Sequence, residues 1–148
     1  MANRVRRHSS EIRDDGFTRR VLGCGIKVHK TLGVGLLESA YETCLALELT
    51  KNGFSVVQQV ALPIDYDGDR IALAYVPDLV IDNRLIVEVK AVRKLSPVHE
   101  SQLLTYLKWS GITVGLLMNF HADPLMSGVK RLVWNHREAA VTVVPPSN

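Results

Sequence analysis

The sequence predicts a single mixed α/β (α+β) domain, and three observations carry that expectation. Leu79-Val-Ile and Leu85-Ile-Val are too short for helices, rich in β-branched residues and separated by the turn-forming Asp82-Asn83-Arg84, so they read as a β-hairpin. Apolar residues at helical spacing, bounded by capping and stopping residues, mark three helices. Thr113 to Phe120 is a nearly continuous apolar run of the kind found in strands buried on both faces.

A chain of 148 residues makes one domain, and 47% hydrophobic residues can supply its core. Residues 1–9 read as a mobile basic arm, 10–144 as the domain and 145–148 as a tail. Ser9 or Ser10 is the expected cap of a first helix whose stripe, Ile12, Phe17, Val21, Leu22 and Ile26, runs to about Lys30. Gly23 and Gly25 weaken that helix locally but permit close packing. Gly33 and Gly35 make a break. A second helix then runs from about Leu36 to Lys51, stopped by Gly53, with Glu38, Tyr41, Glu42 and Leu45 on one face. Phe54 to Ile64 reads as one strand, Asp67-Gly68 as a turn and Ile71 to Val76 as the returning strand. Beyond the hairpin, Ser96 as cap and Pro97 at the first position open a third helix that Gly111 ends. On it Gln102 and Tyr106 share a face, with Leu103, Leu104 and Leu107 as the buried stripe. Val129 to Trp134 and Ala139 to Val144 are closing strands, and Pro145-Pro146 ends structure.

No apolar run reaches the ~18 residues of a membrane span, and the basic N-terminus lacks the apolar stretch of a secretory signal. Cys24 and Cys44 are the only cysteines and form no Cys-x-x-Cys pair. That fits reduced thiols in a cytoplasmic protein and leaves too few ligands for an iron–sulfur cluster or zinc ribbon. The net charge of +3 is unevenly spread: residues 1–30 hold eight of the eighteen Lys and Arg against Glu11, Asp14 and Asp15. Such a region suits a polyanion, and equally an arm kept soluble by its charge. The sequence has no phosphate-cradling glycine loop, no Ser/His/Asp order of a hydrolase and no histidine cluster.

The hairpin introduces charges into an otherwise apolar double run. Strand side chains alternate faces, so Glu88 and Lys90 point the same way, roughly 7 Å apart. With the turn centred on Asn83, Asp78 falls opposite Glu88, their β-carbons about 5 Å apart, close enough to share one divalent cation. Such carboxylates repel, and one takes up a proton unless a cation or donor set intervenes. Oxygen-only ligands suit magnesium or manganese rather than zinc. Lys90 beside them would orient a water or stabilise charge on a phosphate. The competing reading places Glu88 and Lys90 on a solvent face, gives Glu38 a role at the helix dipole and makes Gln102 and Tyr106 a polar helix flank.

The element order, with charged residues on the central hairpin, resembles the core of the PD-(D/E)XK nuclease superfamily, a restriction-endonuclease-like mixed sheet flanked by helices. Gly35-Leu-Leu-Glu38-Ser-Ala-Tyr41 is similar to the motif that names one branch, the GxxExxY proteins. The similarity continues through Pro77-Asp78, Glu88-Val-Lys90, the segment from Leu95 to Leu107 with Gln102 and Tyr106, Gly115 to Phe120, and Lys130-Arg131. The resemblance implies a Mg²⁺ or Mn²⁺ site from Asp78, Glu88 and the main-chain carbonyl of Val89, with Glu38 as a further acidic member. It implies Lys90 assisting an attacking water, and Gln102 and Tyr106 lining the site. The activity implied is metal-dependent phosphodiester hydrolysis with nucleic acid, above all DNA, as the partner, no membrane association, and a homodimer left open. The alternative is a non-catalytic nucleic-acid-binding or partner-binding module that retains the fold.

Overall fold

The computed structural model describes residues 16–136. The arm at residues 1–9, the expected cap at Ser9 or Ser10, the strand from Ala139 to Val144 and the tail at 145–148 lie outside the described residues. Helix α1 (Phe17–Leu32) starts after Gly16, its N-cap residue, whose left-handed φ of 85° turns the chain into the helix. Its stripe buries Val21, Cys24 and Val28. A side chain at Gly25 would begin 3.3 Å from the Met118 sulfur, so glycine there lets α1 lie close on the sheet. Gly33 ends the helix, donating its N–H to His29 O at 2.8 Å. Helix α2 (Glu38–Lys51) follows a short break, with Leu37 as its N-cap residue.

The expected single strand from Phe54 to Ile64 is two strands in two sheets: β1 (Val56–Gln58) and β2 (Leu62–Tyr66). Gln59 breaks it. Its φ of 52° is left-handed and its N–H donates to Asp78 O at 2.9 Å, which takes the chain out of the β1 direction. β2 turns at Asp67-Gly68, both at positive φ, into β3 (Asp69–Tyr75), and among the described residues these two strands form a separate two-stranded sheet.

The hairpin is as the sequence implies. β4 (Leu79–Ile81) and β5 (Leu85–Lys90) pair antiparallel with Leu79 opposite Val87, Val80 opposite Ile86 and Ile81 opposite Leu85. Asp82 and Asn83 both take positive φ, the backbone whose twist suits a hairpin. Helix α3 (Pro97–Ser110) runs from Ser96 to a left-handed Gly111, as its capping residues foretell. It returns the chain to β6 (Val114–Asn119), parallel to β5, and β7 (Val129–Val133) closes antiparallel on β6. The five-stranded sheet has the order β1-β4-β5-β6-β7.

Two apolar layers sandwich that sheet. Leu79, Ile81, Leu85, Val87 and Val89 face α1 and α2, where they join Val21, Tyr41 and Leu45. Val80, Ile86 and Leu117 join Leu103, Tyr106 and Leu107 of α3. Fully burying each of these large side chains is worth roughly 1.5–3 kcal/mol, which pins the register of β5. Gly115 allows the second layer to close, since a side chain there would begin 2.7 Å from Leu103. Period-two alternation along β5 then puts Glu88 and Lys90 on the α3 side. Among the described residues no helix is long and apolar enough to cross a membrane.

Candidate functional site

The hairpin register, carried one step past Leu79 and Val87, sets Asp78 against Glu88, and the main chain ties them. Asp78 N–H donates to Glu88 Oε1 at 2.8 Å, and Val89 N–H donates to Asp78 Oδ2 at 2.9 Å. Glu88 is only 2% exposed. Burial first, then the negative charge of Asp78, push its carboxyl up to about 8, against the opposing pull of Asp78 N–H and Lys90. Lys90 Nζ stands 3.8 Å from Glu88 Oε2 and donates to Gln102 Oε1 at 3.3 Å.

Tyr106 lies one turn beyond Gln102. Burial first, then Glu88 and Asp78, raise its hydroxyl to about 12, so it remains a protonated donor at neutral pH. Tyr75, at the end of β3, stacks on it with ring centroids 4.8 Å apart and planes 9° from parallel. Tyr75 OH also donates to the Tyr106 carbonyl at 3.5 Å. The separate β2–β3 ribbon thus supports the α3 wall.

Glu38 reaches the same strand end but attaches one residue past Lys90: its Oε1 accepts from Ala91 N–H at 3.1 Å. The α2 carboxylate that meets Asp78 is that of Glu42. Burial and contact with Asp78 raise the Glu42 carboxyl above its ordinary value. Gln59 Nε2 bridges the two, donating to Glu42 Oε1 at 2.6 Å and to Asp78 Oδ1 at 3.1 Å. Sequence reasoning missed Glu42, Gln59 and Tyr75 as site neighbours. The signal for Glu42 was present, since it shares the Glu38 face, whereas Gln59 and Tyr75 carried none.

Two supports hold the site from outside. Tyr41, fully buried, donates its hydroxyl to Gly33 O at 2.6 Å and accepts from Leu36 N–H at 3.2 Å, while its ring stacks 4.8 Å from Phe120. It therefore fixes the Gly33–Leu36 break from which Glu38 emerges. Asn119 at the end of β6 donates Nδ2 to Val92 O at 2.8 Å and accepts from Val92 N–H at 3.1 Å and His121 N–H at 3.2 Å. That holds the loop after Lys90.

A cavity of about 280 Å³, lined by Phe17, Asn83, Arg84 and Arg131 among others, lies at the turn end of β4 and β5. Among the described residues no carboxylate lines it, and the hairpin register sets the clustered acids at the end of β4 and β5 away from this turn. Among the described residues no three His, Cys, Asp or Glu side chains close in as a ready-made metal cage.

The fold and this cluster define a class: a mixed sheet flanked by helices, with paired acids and a lysine at the open end of its central hairpin. The PD-(D/E)XK nuclease superfamily matches residues 15–132, and the chain belongs to that superfamily, whose nucleases generally use divalent metals. No curated protein and no solved structure matches the chain.

Proposed function

We propose that the protein is a Mg²⁺- or Mn²⁺-dependent nuclease of the GxxExxY branch, hydrolysing phosphodiester bonds in DNA. The observation that carries this reading is the Asp78–Glu88 pair, in which a nearly buried acid is held against a second acid with Lys90 in reach. Burial first, and then repulsion from Asp78, hold Glu88 near 8, and a cation bound between the two acids would offset both by stabilising the charged carboxylate. The donors are all oxygen, as a hard divalent ion prefers. Magnesium bound by few carboxylates keeps several waters, so the absence of a ready-made three-ligand cage among the described residues is compatible with it.

In this reading Asp78, Glu88 and the Val89 carbonyl hold the ion, and Glu38 borders it from the start of α2. When bound, the ion supplies positive charge that activates water and offsets charge on the phosphate. Lys90 orients the attacking water and stabilises the developing phosphate charge. Gln102 holds the Lys90 ammonium in place through the 3.3 Å hydrogen bond. Tyr106 contributes a neutral O–H donor.

The test is incubation with labelled linear, circular and single-stranded DNA, and with RNA, in magnesium, manganese or chelator. Metal-dependent cleavage of DNA is expected. Binding without cleavage of any form would replace this reading with that of a nucleic-acid-binding module.

A further inference from the structure

Asp78 approaches Glu42 from a different element, and one neutral amide serves both carboxylates. Gln59 Nε2 has two hydrogens and two acceptors, Glu42 Oε1 at 2.6 Å and Asp78 Oδ1 at 3.1 Å. Gln58 adds a weaker contact to the other Glu42 oxygen at 3.4 Å. The main chain places this bridge, because Gln59 N–H donates to Asp78 O at 2.9 Å and its φ is 52°. Few non-glycine residues take that backbone, and among those that do asparagine is favoured over glutamine. What glutamine adds is reach.

We propose that Gln59 is a positioning residue of the cation site, acting through Asp78 with Glu42 as its anchor. The inference rests on the reading of Asp78 and Glu88 as that site. Asp78 Oδ2 is already engaged by Val89 N–H. Without Gln59 the Oδ1 end of that carboxylate loses the amide that holds it, and like charge pushes it from Glu42. With Gln59 both oxygens are restrained and the orientation is set before any ion arrives. An amide suits this task better than an ammonium would. It restrains two carboxylates without cancelling their charge, so the site keeps its attraction for a cation.

The experiment compares the full chain with Gln59→Gly and Gln59→Asn, by calorimetric titration with Mn²⁺ and by thermal melts in chelator. Glycine and asparagine both accept the left-handed backbone, but glycine has no amide and asparagine is one methylene too short to span both acids. Both variants should lose Mn²⁺ affinity by about 10–100-fold, the usual effect of removing a partner that orients a metal ligand. Their melting temperatures in chelator should be unchanged or raised. Equal Mn²⁺ affinity in wild type and Gln59→Gly would overturn the proposal. So would an affinity loss accompanied by a matching loss of metal-free stability in both variants, because Gln59 would then support only the fold. Absence of Mn²⁺ binding by the wild type would instead refute the Asp78–Glu88 cation site, and this inference with it.

Discussion

Asp78 and Glu88 each hold a main-chain N–H at the other's strand end: Asp78 N–H goes to Glu88 Oε1 and Val89 N–H to Asp78 Oδ2. The two acids are therefore kept together by backbone, not by their own attraction.

That arrangement makes metal-free stability depend on pH. The Glu88 carboxyl rises from an ordinary 4.5 to about 8 on folding, so between those values the folded chain binds more protons than the unfolded one. Stability from this group is fully present below the unfolded value and is lost as pH rises through the folded one. In chelator, the melting temperature should fall from about pH 5 to about pH 8, and Glu88→Gln should flatten the slope. A wild-type profile that is flat or rises over this range would contradict the assignment.

Cation binding should oppose that loss. An ion that binds only the folded chain stabilises by about 2.7 kcal/mol at a hundredfold excess over Kd, visible as a rise in melting temperature with Mg²⁺ or Mn²⁺ at pH 8. Asp78→Asn should largely abolish the rise. An undiminished response in that variant would place the ions elsewhere.

Lys90→Ala separates chemistry from binding. Turnover should drop by a factor on the order of a hundred or more, while Mn²⁺ affinity holds or improves because a positive charge beside the acids is gone. DNA affinity should change little, since one lysine is a small part of a backbone contact set. Full cleavage rates in the variant would remove Lys90 from the proposed mechanism.

Asn119→Ala tests the support under Lys90. It deprives Val92 N–H, Val92 O and His121 N–H of their side-chain partner. At about 1–3 kcal/mol for an unsatisfied buried group, denaturant titration should show a loss of a few kcal/mol, reduced to the extent that water reaches the freed groups. A loss below about 0.5 kcal/mol, the range of ordinary surface changes, would mean that the loop is held by other contacts.

The hairpin was legible because the strand period is two: with Asn83 at the centre, arithmetic alone sets Asp78 against Glu88. Helix α3 was legible because Ser96, Pro97 and Gly111 each act within a few residues. The break between β1 and β2 was not, since no glycine or proline stands at Gln59; a bond to Asp78, nineteen residues away, turns the chain there. Nor could helical period decide between Glu38 and Glu42. Both lie on one face of α2, and which one reaches Asp78 depends on how that helix docks against the sheet. The stack of Tyr75 on Tyr106 joins β3 of the two-stranded sheet to helix α3, which no local pattern encodes.

Tyr41 gives the Gly35-x-x-Glu38-x-x-Tyr41 spacing an uneven meaning. Its hydroxyl clasps the Gly33–Leu36 break and its ring rests on Phe120, while Gly35 supplies a φ of 106° within that break. Two of the three letters thus spell architecture, and Glu38 alone turns toward the strand end that bears Lys90. A relative that kept the glycine and tyrosine but exchanged the glutamate would inherit the frame without that acid, and its motif score would overstate its kinship in chemistry.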